Sequence, residues 1–168
     1  MLAFYMGHAD EAAQALERSV RVGLGSKMFD CQSLVLLALT HFDKRDTKAF
    51  NRNHDSLATA LERQTDNVRL QRFVTVSNVF KSLNERQVGA CVGHVRRLAA
   101  SIGAEDFDFE SASNLLAVLV RWHSAEIQLA EGDAWITKIA QRFCVSKPSA
   151  DMLCMTVQGH EPYQALIR

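Results

Sequence analysis

His123 and Glu126 stand three residues apart in a stretch that reads as helix, where both side chains can reach one metal ion. A catalytic zinc needs three protein ligands and an open position. No H-E-x-x-H segment and no Cys/His cluster supplies the rest, so neither a metal nor a cofactor is read here. His41 with Asp43, and His54 with Asp55, are neighbours of the kind ordinary composition produces. Asp10, close to His8, suits a helix entry, where the dipole favours a negative charge. Gly23, Gly25, Ser26 and Lys27 look superficially like a phosphate-binding loop. They follow a helical stretch, however, and lack the first glycine at the required distance, so they read as a helix stop. No G-x-S-x-G elbow occurs. The chain does not read as an enzyme.

The elements that would position any site are helices. Leu2 to Met6 reads as the end of one helix, and Ala9 to Val22 as the next. Apolar periodicity then predicts helices over Phe29 to Phe42, Asp46 to Arg63, a segment capped by Asp66, and Glu85 to Ala100. Asp108 offers a cap for a long helix through about Ala130. Gly132-Asp133 restarts the chain for Ala134 to Phe143, and a last helix starts near Pro148 and fades at Gln158-Gly159. The tail from His160 reads as a short turn docking its own apolar residues. With two prolines and eight glycines, the chain lacks the turn residues of a sandwich or barrel. The expected fold is all-α, one continuous domain over 1–168.

Between Gly7 and Val20 the small residues follow a particular order. Gly7 permits a turn, Ala12 a close approach of two backbones, and Leu16 and Val20 continue the stripe. Ala12, Ala49 and Ala90 each precede an apolar residue by eight positions, namely Val20, Leu57 and Leu98. Gly7 through Val20 resembles the end of helix A and most of helix B of a tetratricopeptide repeat, the G-x-x-x-E-A-x-x-x-L segment. Lys44 and Glu85 replace the glycine in the later units, and the W-x-x-L-G-x-x-Y arm is not recoverable. The resemblance implies a degenerate tetratricopeptide-like solenoid of about seven to eight helices in stacked antiparallel hairpins. Gly7, Ala12, Ala49 and Ala90 would be its packing keys. It also implies a scaffold that holds a peptide or partner domain in a concave groove, as in partner-binding regions of bacterial regulatory and signalling proteins. Candidates for that groove are Arg72, Asn78, Ser113, Asn114 and Arg121. For Asn78 and Asn114 a hydrogen bond between helices is the equal alternative.

Other partners follow from charge and apolar content. Nineteen basic residues balance nineteen acidic ones, so bulk charge favours neither nucleic acid nor an anionic membrane. Seven bases lie between Arg63 and Arg97, a segment that would carry nucleic acid if any did, but aromatic interleaving is thin. Trp135, Ile136, Ile139, Phe143, Met152, Leu153, Met155 and Val157 make the C-terminal end apolar where a solenoid needs a polar cap. Either the tail folds back over that end or a partner covers it. A homodimer of an oligomerisation domain in a transcriptional regulator is therefore the alternative function, with a secretion chaperone beside it. Four widely spaced cysteines with no C-x-x-C pair read as reduced thiols in a cytoplasm. The start, Met-Leu-Ala-Phe-Tyr-Met, lacks a basic leader region and meets the repeat at once, as a piece cut from a longer protein would.

Overall fold

A computed structural model of the chain describes residues 8–22, 27–124 and 131–168, and the side chains of 27–30 and 122–124 stand outside that description. Nine α-helices and one 3-10 turn make up the described residues, which contain no strand. Where the sequence reads as one continuous domain, the contacts cluster into two compact units, Met1–His94 and Val95–Arg168. The division falls inside a helix and not in a linker.

The first unit holds α1 (Ala9–Val22), α2 (Lys27–Asp43), α3 (Thr47–Glu62), α4 (Val68–Asn84) and the start of α5 (Val88–Ala100). α2 is buried continuously from Val35 to His41, so it needs neighbours on every side. It packs on α1, α3 and α4. α1 and α3 are amphipathic and each buries one stripe: Ala12, Ala13 and Leu16 on α1, Ala49, Phe50, Asn53, His54 and Leu57 on α3. Ala12 and Ala49 are thus buried. Asp46 caps α3 by accepting from the Ala49 amide at 3.0 Å. Asn67, and not Asp66, caps α4 through the Leu70 amide at 3.0 Å. Phe42, Phe50 and Phe80 cluster at the centre, Phe42 lying 6.4 Å from Phe50 and 4.8 Å from Phe80 between ring centroids.

Two helix ends repeat one geometry. At the end of α2 the Asp46 amide donates to the His41 carbonyl at 2.9 Å and the Arg45 amide to Phe42 at 3.0 Å. At the end of α4 the Gln87 amide donates to Ser82 at 2.8 Å and the Arg86 amide to Leu83 at 3.1 Å. Both are Schellman closures, which place one residue in the left-handed region. Those residues are Arg45, with φ 57°, and Arg86, with φ 58°. Glu85 therefore ends α4 and does not begin α5. An L side chain is strained there and glycine is not. Arg45→Gly or Arg86→Gly is expected to raise stability by about 0.5–1 kcal/mol, read as a higher urea midpoint. An unchanged or lower midpoint would contradict that strain.

Ala90 does not act as a packing key. The inward stripe of α5 runs through Cys91, Val95 and Leu98, and Ala90, one residue earlier, is turned about 100° away into solvent. Cys91 is buried, and its thiol donates to the Val79 carbonyl of α4 at 3.6 Å. Gly7, the helix expected over Leu2–Met6, the Gly23–Gly25 stop and Glu126 lie outside the described residues, as does the side chain of His123.

The second unit continues α5 into the 3-10 turn Ser101–Gly103, then α6 (Phe109–Ser124), α7 (Gly132–Phe143), α8 (Lys147–Thr156) and α9 (Glu161–Ile167). Asp108 caps α6 as expected, accepting from Ser111 at 2.8 Å. α6 is buried continuously from Ser111 to Leu119 and packs on α7 and α8. The tail is a helix and not a turn: α9 packs on α7 and α8 and buries Ile167. The apolar C-terminal residues are mostly consumed in this core, since Ile136, Ile139, Leu153 and Val157 are fully buried. Met152 is the exposed exception among them, and Phe143, Met155 and Trp135 are half-buried. No helix of the described residues is long and apolar enough to cross a membrane.

Candidate binding cleft

In the second unit, Glu131, Trp135, Lys138 and Arg142 follow one another at intervals of four, three and four, so they share a stripe along α7. The opposite stripe, Ile136 and Ile139, points into the core. Facing the polar stripe are Arg96, Ala99 and Ala100 of α5 and Ile102 and Gly103 of the 3-10 turn. The small residues Ala99, Ala100 and Gly103 among them leave room for a cleft of about 900 Å³.

Both ends of the cleft are tied. At one, the Arg96 guanidinium donates to Glu131 Oε1 at 2.9 Å. The Glu131 carboxyl is held below its ordinary range, first by its own backbone amide and then by Arg96. Both groups are exposed, so this pair orients the side chains more than it stabilises the fold. At the other end, Arg142 donates through Nη1 to the Ile102 carbonyl at 2.5 Å and through Nη2 to the Glu105 carbonyl at 3.3 Å. Its guanidinium also lies 5.2 Å from the Phe143 ring centroid and 5.9 Å from that of Phe107. Arg142 therefore fixes the turn that forms the wall. Between the ends stand a half-buried indole, Trp135, and the ammonium of Lys138, which makes no ion pair among the described residues. Such a cleft can take an apolar side chain against the ring and a carboxylate on the cation.

The residues proposed from the sequence lie elsewhere. Arg72 and Asn78 are on α4 in the first unit, Ser113, Asn114 and Arg121 on α6 in the second. Arg72, Ser113 and Asn114 are buried, so they do not line an exposed groove. The reason is that α4 and α6 are covered nearly all round, not on one stripe. The Ser113 hydroxyl donates back to the Phe109 carbonyl at 3.0 Å, and Arg121 Nη1 to the Ala117 carbonyl at 3.2 Å, each one turn earlier. Asn78 is half-buried. Sequence reasoning saw Trp135 only as apolar content and missed Lys138, Arg96 and Glu131 as a set. The signal within reach was the four-three-four spacing along α7. The opposing wall arrives from 35 residues away and leaves no local trace.

The basic segment presents charges without stacking rings. Arg63, Arg69, Arg86 and Arg97 are exposed, whereas Phe73 and Phe80 are core, and Arg69 lies 5.7 Å from the Phe73 centroid. No group of three His, Cys, Asp or Glu residues among the described residues is placed to hold a metal. Comparison with protein-family models, with curated proteins and with solved structures returns no match to this chain.

Proposed function

We propose that this chain is a protein-interaction module that holds an acidic, apolar-anchored peptide segment of a partner along α7. The observation that carries this reading is the α7 cleft itself, with Trp135 and Lys138 presented between two tied ends. Its cationic side chains, Arg96, Lys138 and Arg142, outnumber the single carboxylate Glu131, so the complementary segment bears carboxylates. Preset walls lower the ordering cost of binding. The tetratricopeptide-like reading is supported by the two matching helix closures at Arg45 and Arg86, one helical hairpin apart. It would make the module part of a regulatory or signalling assembly in the cytoplasm.

Peptide display against the full chain tests the proposal. Selected peptides should be enriched in Asp or Glu beside an aromatic or aliphatic residue. Trp135→Ala or Lys138→Glu should weaken them about 10- to 100-fold, the range of a central contact, while the exposed Arg63→Ala on α3's end should leave them unchanged. Peptides indifferent to both cleft substitutions would overturn it.

A further inference from the structure

We propose that Arg96 is a second carboxylate receptor of the α7 cleft, occupied in the free protein by Glu131, which a carboxylate of the partner displaces. This rests on the cleft holding an acidic segment and adds what sets its specificity. Three cations line the cleft, and each stands differently. Arg142 is committed, since its guanidinium holds the Ile102 and Glu105 carbonyls and lies against two rings. Lys138 makes no ion pair among the described residues. Arg96 holds an exchangeable group, through one bond from Nη2 to Glu131 Oε1 at 2.9 Å.

Three observations make that bond displaceable. The side chains of Arg96 and Glu131 are 57% and 44% exposed, so water screens the pair and it holds weakly. Only one nitrogen of the guanidinium is engaged with it, where a better-placed carboxylate takes two in parallel. Glu131 also has another donor to rest on. Its own backbone amide, ahead of Arg96, is the first cause holding its carboxyl below the ordinary range.

Spacing along α7 then describes the partner. Glu131 and Lys138 are seven residues apart on one stripe, about 10 Å of helix, with Trp135 between them. A segment that fits both cations carries two carboxylates about that far apart, flanking an apolar residue that meets the indole. A segment with one carboxylate uses Lys138 alone and leaves Glu131 where it is.

Fluorescence anisotropy of a labelled, display-selected acidic peptide with the full chain tests this. Replacing the carboxylate of the peptide that faces Arg96 by its amide should weaken binding to the wild type about tenfold. The same replacement should not weaken binding to Arg96→Ala. With Arg97→Ala, an exposed arginine outside the cleft lining, the tenfold difference should persist. Glu131→Gln should tighten the diacidic peptide about two- to fivefold by vacating the guanidinium. Asp133→Asn removes the same charge from an exposed position on α7 outside the lining, and should leave affinity nearly unchanged. A carboxylate-to-amide difference that survives Arg96→Ala overturns the proposal, as does a Glu131→Gln affinity no tighter than that of Asp133→Asn. If such peptides still depend on Trp135 and Lys138, the cleft reading stands without the second receptor. If display yields no acidic peptide at all, both fall.

Discussion

Phe80→Ala is expected to destabilise the protein by about 3–5 kcal/mol. The ring is fully buried on α4 and meets Phe42 of α2 edge-on at 4.8 Å, and Phe42 in turn lies 6.4 Å from Phe50 of α3. Removing it deletes the transfer free energy of a whole aromatic side chain. It also leaves a cavity beside Phe42, in an interior packed too closely to collapse fully around it. Against a total of about 5–15 kcal/mol for a domain, that is a large fraction. Phe80→Leu keeps most of the volume and should cost under about 1.5 kcal/mol. Val145→Ala, at a position 83% exposed, should stay within about 0.5 kcal/mol. Urea unfolding of the three variants gives the ranking directly. A Phe80→Ala midpoint close to that of Val145→Ala would show that the cluster is not the core of the first unit.

Much of this arrangement is legible in the residues. The stripe Ala49, Phe50, Asn53, Leu57 marks α3, and Asp46 and Asp108 sit where caps belong. Asn53, whose buried Nδ2 makes no hydrogen bond among the described residues, stands visibly among apolar residues in that stripe. What is not legible has physical causes. A left-handed closure announces itself by glycine, and here arginine occupies it twice, which is why Glu85 reads as the start of α5. Polar residues within a helix read as a solvent face, yet α6 encloses Ser111, Ser113 and Asn114 because both of its sides are covered. Serine can return its hydroxyl to its own helix, so its burial leaves no pattern in the chain. The α7 cleft depends on residues 35 to 40 positions apart, Arg96 with Glu131 and Ile102 with Arg142, and periodicity carries no information at that range. The division inside α5 falls beside Gly93, but Gly89 and Gly93 stand singly within a helical stripe and make no linker run that would read as a boundary.

Lowering the pH from 7.5 to 5.5 is expected to cost the protein stability through two buried histidines. Burial is the first cause holding the His54 imidazole below its ordinary value; Lys81 adds to it, and Asp55 and Glu85 oppose it. Burial likewise lowers His41, aided by Lys44 and Arg52 and opposed by Asp46 and Glu17. His54 has a defined neutral arrangement: its Nδ1 is hydrogen-bonded to the Ser77 hydroxyl at 2.9 Å, and the ring stacks near Phe50 at 6.2 Å. Above about pH 6.5, the ordinary histidine value, both rings are neutral in the folded and unfolded chain and contribute no pH dependence. As the pH falls through that value, the unfolded chain takes up protons that the folded chain resists. Stability is therefore full above the unfolded value and is lost on acidification. The limiting slope is about 1.4 kcal/mol per pH unit for each ring, continuing until the folded rings themselves protonate. Urea midpoints of the wild type and of His54→Gln and His41→Leu, taken across this range, measure the slope. The variants should flatten it whatever they do to stability at pH 7.5, a difference that simple loss of packing would not produce. The other histidines are common to all three proteins and cancel in the comparison. Parallel midpoint curves would mean that the two rings take up protons in the folded chain as readily as in the unfolded one.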